Sequence, residues 1–567
     1  MSGDLKDCVM PTMEVDGKKI TWEGRKTILQ ACLDDGIALP YYCYHQGLSI
    51  VASCRVCLVE VEAPHPKAPT TLVKIPKLLP SCQMLAADGM KVYSQTPKAL
   101  SNQKAVLEYL LINHPLDCPV CDKSGECYLQ DYSYKYGRTL SRFDEDKAKK
   151  PKKDIGPHIL LYNDRCINCT RCVRFTREIS GTGELGVFGR GFRQEIDVFQ
   201  GRVLDNPLAG NVVDICPVGA LLDKDFLFVQ RVWYLTQTPS ISPFTSGGEN
   251  IFIEHNQGRV YRIMPRFNKD INQWWIDDQI RHGWHFIHEN RLWSPLVRAG
   301  ANAVAPQAEI GNRDAVRTTW DQALDRLEQI FKKMVADRGP GTTALVLSPF
   351  DPTEEMFLAA SWIRSIDPQA WVTFNPPQID GEDRVFKNPL TGTVNYVLRA
   401  EQAPNRRGAE KILAHFRGHT CALTELAGKI EVGQVAAAMV HIDPVAHSDT
   451  PLEEVLARVD KLVVLSTRPP VGMAARAVLA LPVSTWAEKS GVYENHAGRI
   501  QFFEKAIAPP GLSRSSGEIF WDLLGETGAY DSAAARALMV KTGLTEYAGV
   551  AKPRQSKKVK LMQFEPL

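Results

Sequence analysis

Apolar and polar positions change period early in the chain. The segment MEVDGKKITWEGRKTILQACLDDGIALPYYCYH reads as a strand, a tight turn at Asp16 and Gly17, a second strand and a short helix. Thr27 is the expected N-cap of that helix and Gly36 its stop. Ile28 and Cys32 stand four apart on it and share a face, which makes Cys32 a small core residue. After a loop, LVEVE alternates as a strand. In SNQKAVLEYLLINHPLDC, Val106, Leu107, Leu110 and Leu111 form one helical face, and Pro115 stops the helix because it disfavours helical geometry at His114. The pattern changes beyond residue 235. NIFIEHNQGRVYRIMP reads as a hairpin, and apolar runs such as TTALVLS and KLVVLST alternate with helical stretches such as TEEMFLAASWIRSI, so this half is α/β. No G-x-G-x-x-G phosphate fingerprint follows a strand there.

The chain has 567 residues, too many for one core, so several domains are expected. A net charge of +2 gives no electrostatic case for a nucleic-acid partner, and the basic run from Asp146 to Asp154 reads as a solvated linker. The N-terminal MSGDLKDCVMPTM carries Asp4 and Asp7 without a continuous apolar stretch, unlike a secretory signal or a transit peptide. No run approaches the ~18 apolar residues of a membrane span. The expected location is the cytoplasm, with membrane contact only through a partner.

Cysteine placement changes this ordinary picture. Of 14 cysteines, thirteen lie at or before Cys216 and only Cys421 lies beyond. Clustered cysteines at short repeated spacings in a reducing compartment argue for metal or cluster ligation over disulfides. The first group is Cys43, Cys54, Cys57 and Cys82, spaced C-x10-C-x2-C-x24-C. A [2Fe-2S] cluster needs two thiolates on each iron, which this spacing supplies, but an all-thiolate zinc site fits it equally. The most specific signal is Cys166, Cys169 and Cys172 at C-x2-C-x2-C, with Cys216 followed by Pro217. Three thiolates at intervals of three with a remote Cys-Pro suit one [4Fe-4S] cube, and zinc sites seldom use that triple. Cys118, Cys121 and Cys127 form the middle group and lack a fourth ligand. Cys32 is placed in a helix core and Cys8 in a polar tail, so His114 is the nearest unassigned ligand for a second [4Fe-4S] cluster. The bland role for His114 is at the negative end of the preceding helix.

These groups, in this order, resemble the large peripheral iron–sulfur subunits of respiratory complex I, the NADH-quinone oxidoreductase. The resemblance rests on YYCYHQGLSIVASCRVCLVEVE, NHPLDCPVCDKSGECYLQD, RCINCTRCVRFTREISG and GNVVDICPVGALLDKDF. It implies a [2Fe-2S] cluster on Cys43, Cys54, Cys57 and Cys82 in a ferredoxin-like β-grasp domain. It further implies a [4Fe-4S] cluster on His114, Cys118, Cys121 and Cys127, and another on Cys166, Cys169, Cys172 and Cys216. RLWSPLVR, TTWDQAL and EKSGVYENHAGRIQ are similar to segments of molybdopterin oxidoreductases. TPSISPFTSGGENIF has no cysteine where some members carry an additional cluster, so that cluster is expected to be absent. No molybdenum is expected, and Cys421 is read as a core residue.

The implied architecture is multidomain α+β and α/β: residues 1–98, a [2Fe-2S] domain; 99–140, a His/Cys [4Fe-4S] segment; 141–153, a basic linker; 154–234, a [4Fe-4S] domain; and 235–567, a molybdopterin-oxidoreductase-like domain. The implied function is electron relay in NADH:quinone oxidoreductase on the cytoplasmic side of a bacterial inner membrane. Its implied partners are the flavin-bearing NADH-binding subunit and a ferredoxin-like two-cluster subunit, with no catalytic side chain in this chain. An iron–sulfur subunit of a soluble hydrogenase or formate dehydrogenase shares the cysteine-rich module, and a zinc-stapled scaffold is the redox-silent alternative.

Overall fold

The computed structural model describes residues 10–65, 67–298, 315–442, 452, 457–471 and 475–552, so Cys8 lies outside the described residues. The chain divides into two compact units, one holding residues up to 234 with 386–395, the other 235–385 with 396–555.

In the first unit, β1 (Thr12–Val15) and β2 (Lys18–Thr21) form the expected hairpin, with Asp16 and Gly17 both left-handed at the turn. Helix α1 (Ile28–Asp34) starts at Thr27, whose hydroxyl accepts from the Gln30 N–H while the Gln30 side chain accepts from the Thr27 N–H. Strands β3 (Leu58–His65), β4 (Ala68–Lys74), β5 (Leu79–Pro80) and β6 (Lys91–Tyr93) complete a sheet in the order β2-β1-β6-β3-β4, with β5 on β3. Its core packs Val15, Ile20, Val59, Val61 and Val92 against Ile28, Leu29 and Cys32 of α1. Cys32 is fully buried there, and burial pushes its thiol up to about 12, as suits a core residue.

Helix α2 (Pro97–Leu111) begins four residues earlier than SNQK, at an N-cap Thr96 followed by Pro97. Its buried stripe is Ala99, Gln103 and Leu107, while Val106, Leu110 and Leu111 are only half-buried. The apolar periodicity misplaced the face because buried Gln103 reaches the Ser94 carbonyl. Lys147 donates to the Leu111 and Ile112 carbonyls at 2.8 Å each, taking the position at the negative helix end that was open to His114. The basic run is mostly exposed, but it ends in a strand, β7 (Lys152–Asp154), paired with β8 (Ile159–Tyr162). Helices α3 (Tyr128–Tyr136), α4 (Arg171–Glu178) and α5 (Asn211–Ile215), the hairpin of β9 (Leu185–Phe188) and β10 (Glu195–Val198), and β11 (Leu221–Asp223) on β8 follow.

The second unit opens with an antiparallel sheet of β12 (Thr236–Ile241), β13 (Asn250–Asn256) and β14 (Arg259–Pro265), the last two forming the predicted hairpin. Its main sheet carries parallel strands β15 (Thr343–Leu347), β16 (Trp371–Phe374), β17 (Ala437–Ile442), β18 (Lys461–Ser466) and β19 (Leu479–Pro482), in the spatial order β19-β18-β17-β15-β16. Both faces are covered. Leu345 and Leu347 pack with Trp320, Leu327, Phe331, Trp362 and Ile363 on one side; Ala344 and Val346 pack with Leu423, Leu426 and Ile430 on the other. That double burial is why TTALVLS and KLVVLST read as continuous apolar runs. TEEMFLAASWIRSI is a helix over Thr353–Ile366, as predicted. Cys421 lies in the second of these cores, where burial pushes its thiol up to about 11. Among the described residues, no helix is long and apolar enough to cross a membrane.

Candidate metal centres

The first cysteine group assembles where β3 meets β5. Leu58 pairs with Pro80 across these strands, and the Ser81 N–H donates to the Cys57 carbonyl at 3.1 Å, so Cys57 and Cys82 are brought together by sheet register. The loop from Cys43 to Cys57 turns through two left-handed residues that are not glycine, Ala52 and Arg55. Such conformations cost of order 1–3 kcal/mol each and persist where surroundings impose them. Cys43 pairs with Cys54 and Cys57 with Cys82, and Cys43 also interacts electrostatically with Cys57 and Cys82. The hydrogen bond from Cys54 pulls the Cys43 thiol down to about 5, and the one from Cys82 lowers Cys57. Cys54 and Cys82, the donors, are pushed up.

The group at Cys166 is built by the entry to α4. Asn168 and Thr170 are both left-handed, so the backbone winds around a point between Cys166, Cys169 and Cys172. A left-handed Thr is a rare conformation for a β-branched residue. The Asn168 N–H faces Cys166 Sγ at 3.4 Å. Cys216 follows α5, and its thiol interacts with all three others. Burial pushes Cys166 up to about 12 and Cys169 up to about 11.

His114, Cys118, Cys121 and Cys127 line a single cavity, together with Asp117, Gln130, Arg165 and Gly219. Cys127 caps α3, and burial pushes its thiol up to about 12 against the pull of the Gln130 and Leu129 N–H groups at that helix start. Burial, then the charges of Arg165 and Lys147, bring the His114 imidazole down to about 4, which keeps it neutral and able to donate a lone pair. Cys118 is exposed whereas Cys121 and Cys127 are buried, so this cavity has one side open to solvent.

Four residues that the cysteine spacing did not single out complete these sites. Gly219, three positions after Cys216, leaves the space that Cys121 occupies: a Cβ there would stand 2.2 Å from Cys121 Sγ. Arg165 is buried against the Tyr162 ring and donates to Asp117 Oδ2 at 3.0 and 2.7 Å. Arg171 and Arg174 reach the carbonyls of the Cys43 loop. The signal was present in the sequence, since three arginines interleave with the cysteines of DRCINCTRCVRF.

The donors fit iron–sulfur clusters. Two sites offer four thiolates and one offers three with an imidazole, with backbone N–H groups turned toward sulfur and a glycine clearing room beside a ligand. Among the described residues, no three His, Cys, Asp or Glu side chains are arranged to hold a lone metal ion.

Family models match the same segments: a 2Fe-2S iron-sulfur cluster binding domain over residues 10–97, the NADH-ubiquinone oxidoreductase-G iron-sulfur binding region over 103–142, and the NADH-quinone oxidoreductase subunit 3 ferredoxin-like domain over 156–222. The chain is similar, domain by domain, to the large iron–sulfur subunits of NADH-quinone oxidoreductases. In the second unit, an NADH-ubiquinone oxidoreductase NDSU1/NuoG-like 4Fe-4S domain matches residues 235–285, and a molybdopterin oxidoreductase domain matches 406–526. The former stretch contains no cysteine in this chain. The NADH-ubiquinone oxidoreductase 75 kDa subunit of Reclinomonas americana is 43% identical over 316 residues, covering 56% of this chain and 42% of the relative. A NADH-quinone oxidoreductase subunit of Rickettsia bellii (strain RML369-C) is 36% identical over 357 residues, covering 63% and 48%. The chain thus spans less than half the length of these relatives. A chain of a NAD+-reducing [NiFe]-hydrogenase aligns at 30% identity over 39% of this chain and 91% of its own, with a TM-score of 0.34.

Proposed function

We propose that this chain is an electron relay of an NADH:quinone oxidoreductase. In this reading Cys43, Cys54, Cys57 and Cys82 hold one [2Fe-2S] cluster, His114, Cys118, Cys121 and Cys127 one [4Fe-4S] cluster, and Cys166, Cys169, Cys172 and Cys216 another. The observation that carries it is the convergence of these twelve side chains into three groups within one unit, in contact through their own loops. Arg174 touches the carbonyls of Cys43 and Cys169. Gly219 packs on Cys121, and the Tyr128 N–H donates to the Pro217 carbonyl at 3.0 Å. The Cys166 group therefore stands in loop contact with each of the others.

The clusters supply one-electron storage and transfer. The chain supplies ligands, hydrogen bonds to sulfur and exclusion of water. Replacing a thiolate by the neutral His114 imidazole removes a negative charge and raises the reduction potential of that site. Electrons enter from a flavin-bearing NADH-oxidising partner at the Cys43 site and leave past the His114 site toward a ferredoxin-like subunit and quinone, on the cytoplasmic side of a bacterial inner membrane. Residues 1–98, 99–140 and 154–234 form the three ligand-bearing segments, and residues from 235 onward a docking and insulating scaffold that binds no molybdenum.

Anaerobic purification with iron, sulfide and zinc analysis and electron paramagnetic resonance tests the reading. One two-iron and two four-iron signals are expected, and His114→Ala should remove or alter one four-iron signal. A colourless, zinc-containing chain would reject it. In an assembled complex, Cys169→Ser should stop NADH-driven quinone reduction while NADH oxidation by an artificial acceptor continues.

A further inference from the structure

Helix α4 turns one face toward the loop that carries Cys43. Arg171, Arg174 and Glu178, spaced three and four apart, share that face. Glu178 accepts from the Ser49 N–H at 2.9 Å and from its hydroxyl at 2.5 Å. Arg174 Nη1 donates to the Ser49 carbonyl, and its Nη2 donates to the carbonyls of both Cys43 and Cys169, the latter at 3.4 Å. Arg171 donates to the Tyr44 carbonyl at 2.6 Å and the Ile215 carbonyl at 2.9 Å, beside Cys43 and Cys216. One helix face thus straps the loop of one cysteine group to the backbone of another.

Both guanidinium groups are buried, Arg171 at 4% and Arg174 at 8% exposure. Among the described residues, no carboxylate forms an ion pair with either. A buried cation without a close counter-ion is strongly unfavourable, so negative charge is required nearby. Thiolate-ligated clusters held at the Cys43 and Cys166 sites would supply it, the more so in their reduced state.

We propose that Arg174, seconded by Arg171, is a positioning residue shared by the Cys43 and Cys166 sites: its single positive charge, held on the carbonyls of Cys43 and Cys169, favours the reduced state at both. This rests on the proposed cluster assignment. Because one charge faces two sites, its removal lowers two reduction potentials together. Hydrogen bonding and net charge around the ligands set such potentials, and a guanidinium can span two carbonyls where an ammonium is a point charge.

The test is a potentiometric titration of the full chain, purified anaerobically and followed by electron paramagnetic resonance. Arg174→Gln keeps polar donors and removes the charge. It is expected to lower the midpoint potentials of the two-iron site and the Cys166 four-iron site at wild-type iron and sulfide content, and Arg174→Lys to recover both in part. Arg171→Gln should shift the same two potentials in the same direction. Unchanged potentials, or a shift at one site alone, would overturn the shared role. If the Gln variants lose clusters that the Lys variants retain, the need for charge stands; if the Lys variants lose them too, the strap is purely structural and the proposal fails. A wild-type chain without clusters rejects the assignment itself, which separates that failure from this one.

Discussion

Apart from the Arg165–Asp117 pair, the buried arginines of the first unit keep different company from the buried cations of the second. In the second unit, buried cations meet buried carboxylates. Arg291 lies on both oxygens of Glu488, Lys489 bridges Asp351 and Glu355 at 2.8 and 2.9 Å, and Arg536 pairs with Glu354. In the first unit, Arg171 and Arg174 face carbonyls, and left-handed Ala52, Arg55, Asn168 and Thr170 sit inside ligand loops. These three cations of the second unit are neutralised by its own side chains. In the proposed reading, bound clusters would balance the charge of Arg171 and Arg174 in the first and stabilise its strained loops.

The contrast breaks most sharply under metal loss. Chelation of iron under reducing conditions should greatly increase proteolysis within residues 10–234 and leave the second unit protected, because bound groups stabilise only the fold that binds them. Equal loss of protection in both units would erase the distinction. Next in size is Gly219→Ala, whose Cβ has no room beside Cys121. It should cost about four irons per chain and the His114-site signal, with the two-iron signal retained, as iron analysis and spectroscopy would show.

Within the second unit, Glu488→Gln leaves Arg291 buried with a neutral partner. A loss of about 3–5 kcal/mol in chemical denaturation is expected, with iron content unchanged; loss of iron would show that the units are not separable in this way. The most gradual effect is a pH slope. Burial, then the nearby charge of Asp277, pushes Glu249 from its ordinary 4.5 up to about 8. The folded state then binds a proton that the unfolded chain has released, so stability falls as pH rises from about 4.5 to about 8, by about 1.4 kcal/mol per pH unit within that window. Glu249→Gln should flatten the slope, and an unchanged slope would remove Glu249 as its source.

Much of the fold was legible locally. Thr27 announced its helix because a capping box is a contact between near neighbours, and the 250–265 hairpin followed from its alternation. The buried stripe of α2 departs from its apolar period because a buried Gln103 carries no apolar signal. The role of the α4 arginines is not legible in the sequence because a charged residue normally lies on a solvated face.

What the amino-acid order determined alone is the chemistry: thiolates at intervals of three, an imidazole four positions before another thiolate, and runs of apolar residues that become strands. These are short-range matters of backbone dihedrals and side-chain type. Only the tertiary structure decided which groups share a boundary, placing Gly219 on Cys121 and one Arg174 nitrogen on the carbonyls of Cys43 and Cys169. Contacts across 131 residues are set by how sheet, helix and loops pack, and no local period in the sequence encodes that.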